Sequence, residues 1–302
     1  MESLLPPQIE WIVALQSGAA PALDHFFRVF TDFGGRHYLW LVPGLLWCID
    51  YRTGLRVLVL MALTIFVNTA LKEWIADPRP YQLDARVVSD GEQGYGLPSG
   101  HAQLVVIFWG LIAAWVDRRA FWLLAVGIML LMGFSRVYLG VHFPSDVLVG
   151  WALGALTLWA ALRWREPVEA WLARQPRPLL PAFGVGTALL VFDRLLIRDA
   201  DLLAAGGAGF LVGAGAAAAL AGRGLDFRGH GAWWRRVLRY LLGMTLTLLL
   251  LGVMRRLGVP DGSAASLVAF VYLALFALWL GAGLPRLFVA VRLGDGGEAS
   301  AR

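Results

Sequence analysis

Long apolar runs, each closed by arginine, proline or glycine, recur along nearly the whole chain, and no other feature restricts its fold so strongly. A bilayer hydrocarbon core of ~30 Å takes about 20 helical residues, fewer where a helix is short or re-entrant. Runs of that order lie at 37–50, 55–75, 101–116, 120–139 and 146–163, and a second group lies at 179–197, 202–221, 236–254 and 264–284. No strand-period alternation and no internal repeat are visible. Of 302 residues, 16% are charged and 59% hydrophobic, where a soluble domain carries about 25% charge. That balance excludes a water-soluble globule, a disordered chain, a collagen-like repeat and a disulfide scaffold. The expected fold is all-α, a polytopic transmembrane helical bundle.

Residues 8–33 are not a plain span. Leu23, Phe26, Phe27 and Phe30 fall at i, i+3, i+4 and i+7 opposite Asp24, Arg28 and Asp32, which predicts an amphipathic helix in the interface or against the bundle. His25 and His37 take interfacial places there. The expected organisation is interfacial helices over 1–35, a catalytic core over 36–165, a linker over 166–178, about four spans over 179–293 and a flexible tail over 294–302. The linker is read from the charge and prolines of Arg163–Pro178. Met1, Glu2 and Ser3 offer no cationic leader, so no cleavable signal peptide is expected. The one cysteine, Cys48, sits in an apolar run and leaves the redox compartment undetermined.

The net charge of +5 separates by position. Its cations fall between hydrophobic segments and form no basic aromatic face, so a topology signal is read and nucleic acid is not a partner. Two polar loops, 76–100 and 135–145, are separated by two spans and must emerge on one side. Most of the arginines fall on the other side, which the positive-inside rule assigns to the cytoplasm. The site is therefore expected on the periplasmic or extracellular face of a bacterial cytoplasmic membrane.

Those loops hold the residues that carry chemistry. Lys72, the only lysine, opens the run to Arg79 and Pro80; Pro98-Ser99-Gly100-His101 follows; Ser135-Arg136, His142 and Asp146 complete the set. Ionisable residues at membrane depth suggest function by default. Arg79 and Arg136 can fork onto phosphate oxygens, and Lys72 adds a point charge. Ser99 and Gly100 open a helix, as does Ser145, so backbone N–H groups and two positive helix ends can hold an anion without metal. Asp146, four residues after His142, can fix the tautomer of a nucleophilic imidazole, while His101 can protonate a leaving alkoxide and then activate water. Ser135 takes a supporting or helix-capping part. Tyr81 and Tyr95 shape a substrate mouth or are simply interfacial aromatics; Glu73, Asp77 and Asp84 read as solvated charges.

The pattern Lys-x6-Arg-Pro, Pro-Ser-Gly-His, Ser-Arg-x5-His-x3-Asp resembles the three-part signature of the type 2 phosphatidic acid phosphatase superfamily, over residues 72–146 and by extension to about 163. The resemblance implies a phosphohistidine on His142 supported by Asp146, with His101 as acid and then base. It places Lys72, Arg79, Ser99, Gly100 and Arg136 on the phosphoryl oxygens and needs no metal or other cofactor. It implies a lipid phosphomonoester or diphosphate substrate, such as undecaprenyl diphosphate or a phosphatidic acid type lipid. The preference for arginine over lysine fits a GC-rich bacterial gene.

The resemblance leaves residues 179–302 without a task. Two alternatives are a lipid phosphotransferase and a transporter-like membrane protein with an accessory phosphatase core; a haloperoxidase fits poorly with a site among membrane spans. Small-residue stripes at Gly150-x3-Gly154 and Gly209-x3-Gly213 predict close helix packing and allow a homo-oligomer. Arg198, Asp199, Asp201 and Asp261 read as helix-end salt pairs.

Overall fold

The computed structural model describes residues 5–18, 20–176, 179–196, 202–221, 227–258 and 264–294. Arg198, Asp199, Asp201, Asp261 and the end of the expected tail lie outside them. The elements among the described residues are helices: α1 (Leu5–Ser17), α2 (Pro21–Asp32), α3 (Tyr38–Cys48), α4 (Tyr51–Ile75), α5 (Pro80–Leu83), α6 (Gly100–Val116), α7 (Arg119–Tyr138), α8 (Pro144–Arg174), α9 (Leu179–Leu196), α10 (Leu202–Leu220), α11 (Trp233–Leu257), α12 (Ala265–Leu278), and α13 (Leu284–Ala290) after a π-helical turn at Trp279–Gly283. Five stretches are long and apolar enough to cross a membrane: Tyr51–Leu83, Arg119–Tyr138, Pro144–Arg174, Trp233–Leu257 and Ala265–Ala290. Tyr38–Cys48, Gly100–Val116 and Ala205–Leu220 are apolar but shorter. The 17 residues of α6 rise only about 25 Å. The chain forms a multi-span helical membrane protein, and α8 runs as one helix through Pro167 to Arg174.

Two compact units divide the chain, Met1–Tyr38 with Val67–Leu162 and Leu39–Phe66 with Arg163–Arg302. In the first, α6 and α7 form a hairpin whose tight turn places Asp117 in the left-handed region at φ 52°. α8 lies against α6 at Gly150: a Cβ there would fall 2.6 Å from the Ser99 carbonyl oxygen, and one at Gly154 would fall 2.9 Å from that of Gln103. The small-residue stripe thus packs helices within the chain. α2 turns Asp24, Phe27 and Thr31 toward α7, with the Phe27 ring 4.7 Å from that of Tyr138 and Asp24 accepting from the Tyr138 hydroxyl. Leu23 and Phe26 on its other face are exposed. His25 and Arg28 are exposed beside them, so the outer face of α2 mixes polar and apolar groups, as suits an interfacial helix packed on the bundle. Ile12 of α1 is fully buried with Val87, Val137, Phe143 and Val147.

In the second unit α10 and α12 meet backbone to backbone, since a Cβ at Gly209 or Gly213 would collide with the carbonyls of Phe270 and Ala274. Trp47 of α3 is fully buried, donates to the Leu280 carbonyl at 3.0 Å and stacks edge-on against Phe288. The Tyr51 hydroxyl donates to the Gly281 carbonyl at 2.6 Å. Arg239, also fully buried, donates to the carbonyls of Arg228, Gly229 and His230.

Candidate active site

All the residues singled out on the two polar loops lie in the first unit, and the loops meet: Arg79 donates to the Val141 carbonyl at 2.9 Å. Single emergence on one side, argued from span parity, agrees with that contact.

Helix ends supply the positions. Lys72 stands in the last turn of α4, Pro80 is buried at the start of α5, Ser99 is the N-cap of α6, Arg136 occupies the last turn of α7, and Asp146 the first turn of α8. The turn before α6 is braced from α4, because Asn68 donates to the Pro98 carbonyl at 3.2 Å and to Gln103 Oε1 at 3.0 Å. Ser99 donates its N–H to the Asp146 carbonyl at 3.0 Å, tying the start of α6 to that of α8. That amide is therefore committed. The Ser99 hydroxyl is fully buried without a hydrogen-bond partner among the described residues.

His142 and Asp146 form a buried pair, with Nδ1 3.2 Å from Oδ2; the same oxygen accepts from the Phe143 N–H at 2.9 Å. Gly96 passes close by, since a Cβ there would lie 3.0 Å from Asp146 Oδ2. His142 Nε2 faces Arg79 Nη1 at 3.5 Å. Burial first, then the charges of Arg136, Lys72 and Arg79, hold the His142 imidazole well below the ordinary histidine range. It is a neutral base at neutral pH, with Nδ1 turned to the carboxylate and Nε2 toward the cations.

Glu92, which nothing in the sequence singles out, bridges the cationic cluster. Its carboxylate accepts from Arg79 Nη1 at 3.0 Å and from Arg136 Nη2. Burial pushes its carboxyl up, but Arg136, His101 and Arg79 outweigh that and hold it down at about 2. The surrounding loop occupies the cations further: Arg79 reaches the carbonyls of Gly94 and Gln93, and Lys72 those of Tyr95 and Gly96. The Tyr81 hydroxyl donates to the Glu92 carbonyl at 2.5 Å. Tyr81 thus fastens this loop, and Asp84 is paired with Arg86 at 2.8 Å.

His101 opens α6 with its ring against the backbone of Gly34 and Gly35. Ser135 is buried and donates to the Met132 carbonyl one helical turn back, so its hydroxyl proton serves the helix. Thr31 of α2 accepts from Arg136 Nη1 at 2.7 Å. His37 stacks on Phe33 with ring centroids 4.3 Å apart, away from these contacts.

Thr31, Asn68, Glu92 and Gln103 are thus additions to the residues read from sequence. Asn68 and Gln103 carried a signal, being amides inside apolar runs. Glu92 and Thr31 carried none, because a lone acid in a glycine-rich loop reads as solvated and a helix-end threonine as a cap.

Comparison with known proteins follows the same residues. The profile of the PAP2 superfamily matches residues 53–169, and that of the PAP2 superfamily phosphatase, transmembrane extension, matches residues 205–297. The second match covers most of residues 179–302, which the resemblance in sequence leaves without a task. An undecaprenyl-diphosphatase of Sulfolobus acidocaldarius is 31% identical over 132 residues, 42% of this chain and 64% of the relative. The phosphatidylglycerophosphatase B of Bacillus subtilis is 33% identical over 125 residues, 38% of this chain and 60% of the relative. In both, less than two thirds of the relative is spanned. The crystal structure of a transmembrane PAP2 type phosphatidylglycerolphosphate phosphatase from B. subtilis superposes with a TM-score of 0.49 at 24% identity, over 56% of this chain and 89% of that one.

Proposed function

The chain belongs to the PAP2 superfamily, and on that premise we propose that it is a membrane lipid phosphatase that hydrolyses a lipid phosphomonoester or diphosphate through a phosphohistidine. The observation that carries the reading is the pair of His142 and Asp146, 3.2 Å apart, with Nε2 facing the Arg79 guanidinium. A phosphoryl group taken up by Arg79, Arg136, Lys72 and the Ser99 hydroxyl presents phosphorus to that nitrogen.

His142 Nε2 attacks phosphorus, and the bond to the lipid oxygen breaks as His101 gives its proton to the departing alkoxide. Asp146 holds the Nδ1 proton and stabilises the ring as it gains positive charge. His101, now a base, takes a proton from water. The hydroxide formed attacks the phosphohistidine, frees His142 and releases inorganic phosphate. The three cations and the start of α6 offset the charge gathered on the equatorial oxygens, where electrostatic preorganisation contributes most. Gly100 lets the chain pass Asn68 closely, a Cβ there falling 3.0 Å from its Oδ1, and Pro80 and Ser135 support the frame.

A lipid substrate is supported by the attachment of the site to membrane-spanning helices, and the arginine distribution supports an outward face in a bacterial cytoplasmic membrane. The test is phosphate release by purified protein from undecaprenyl diphosphate, phosphatidic acid, phosphatidylglycerol phosphate and sphingosine phosphate, with His142→Ala in parallel. Turnover and acid-labile labelling should be present in the wild type and absent in the variant. Retained turnover in His142→Ala would overturn the mechanism, and label passing to a second lipid would indicate a phosphotransferase.

A further inference from the structure

We infer that the turn leaving α2, Thr31–Gly35, is a positioning element of this site, with Thr31 aiming Arg136 and Gly35 setting the place of His101. The inference rests on the reading of the site as a phosphatase. It concerns residues that lie outside the matched stretch 53–169.

Arg136 is almost wholly buried, so its guanidinium has few orientations; its Nε has no hydrogen-bond partner among the described residues, which leaves the two fork nitrogens to fix its plane. One fork nitrogen goes to Glu92 and the other, at 2.7 Å, to the Thr31 hydroxyl oxygen. A phosphoryl group that replaces Glu92 takes over only the first of these. Thr31 then remains to hold the plane of the fork, and a planar bidentate donor loses most of its grip when rotated. Thr31 is itself placed by the packing of Phe27 on Phe134 and Tyr138 and by the bond from Tyr138 to Asp24.

Gly34 and Gly35 pass along His101. A Cβ on Gly34 would fall 3.0 Å from the ring's Cδ2 and one on Gly35 would fall 2.9 Å from Nε2. Any side chain at position 35 must push the imidazole aside. One short turn therefore sets both a phosphate-binding cation and the proposed proton donor.

The two contacts leave different kinetic marks, neither of which depends on how much protein folds. Thr31→Val keeps shape and removes the acceptor. It should weaken inhibition by orthovanadate, which resembles the pentavalent state, about tenfold, with equal slowing of p-nitrophenyl phosphate and an alkyl phosphate lipid. Thr31→Ser should restore both. Gly35→Ala should slow the alkyl phosphate at least tenfold more than p-nitrophenyl phosphate, because only the poor leaving group needs the proton from His101. Unchanged vanadate inhibition in Thr31→Val, failure of Thr31→Ser to restore it, or equal slowing of both substrates in Gly35→Ala would overturn the inference. Failure of the phosphatase reading is separate: it shows as wild-type protein and His142→Ala releasing phosphate alike.

Discussion

Glu92 and Arg79 stand carboxylate to guanidinium at 3.0 Å, and the other carboxylate oxygen takes Arg136, so both cations proposed to bind a phosphoryl group already hold an anion. An incoming phosphate has to displace that anion from both forks. Glu92→Gln keeps the shape and removes the competing charge, so inorganic phosphate and vanadate should inhibit it severalfold more strongly than the wild type. Isothermal titration with either anion reads this directly, and weaker binding in Glu92→Gln would mean that the carboxylate orients the arginines rather than competing for them.

The same pair sets a pH expectation. A carboxyl held at about 2, below its ordinary value, favours the folded arrangement above the usual carboxylate range and loses that contribution only as pH falls toward 2. Binding of inorganic phosphate should therefore show no step from Glu92 as pH falls from neutrality through the ~4.3 of an unperturbed glutamate. A step near ~4.3, the value of an unperturbed glutamate, would show that the bridge is absent in solution.

His142 gives the opposite limb. Its lowered pKa means that the nucleophilic free base persists to lower pH than in an ordinary histidine. Phosphoenzyme formation, measured by rapid acid quench, should fall to half below the ~6.5 of a free imidazole. A midpoint at or above that value would contradict the environment given to His142 by burial and the cations.

Asp146 offers the cleanest separation of chemistry from folding. Asp146→Asn retains the volume, yet removes the charge that holds the Nδ1 proton and stabilises the imidazolium. A loss of kcat on the order of 10⁴ is expected, by analogy with the aspartate of serine protease triads. KM should change little. Circular dichroism and thermal denaturation in detergent would show whether the buried amide is tolerated, and kcat within tenfold of wild type would remove Asp146 from the mechanism.

These expectations draw unequally on the sequence. Lys72, Arg79, Ser99, His101, Arg136, His142 and Asp146 were legible because residues costly at membrane depth stood at fixed spacing on two loops of one side. The apolar runs located the helices, since their period and length follow from the bilayer. The sequence could not show that α2 turns Asp24 and Thr31 inward together with Phe27, because which polar groups of an amphipathic helix pack inward depends on partners such as Tyr138 and Arg136. Nor could it show Glu92 on the arginines, a pairing created by a loop whose path is set by distant contacts such as Gln16 to Val88 at 2.9 Å. Gly150-x3-Gly154 read correctly as close packing, but its partner, α6, needed the fold.

The second unit yields the last expectation, because its members come from both ends of the chain. Trp47 and Tyr51 lie before the catalytic loops, yet they donate to the carbonyls of Leu280 and Gly281, at 3.0 Å and 2.6 Å. Those carbonyls belong to the π-helical turn, where the regular helical bonding pattern is interrupted. Removing everything after Pro178 would leave a buried indole N–H and a phenol without acceptors and would strip Trp47 of its contact with Phe288. A buried donor without an acceptor costs about 1–3 kcal/mol, and the lost aromatic burial adds to that. The truncated protein should therefore give little folded material in detergent, whereas Trp47→Phe and Tyr51→Phe should each lower stability by about 1 kcal/mol while leaving kcat intact. Thermal denaturation and phosphate release on the three proteins check this. A truncated chain as stable and active as the whole would show that the segment 39–66 holds its shape without the extension.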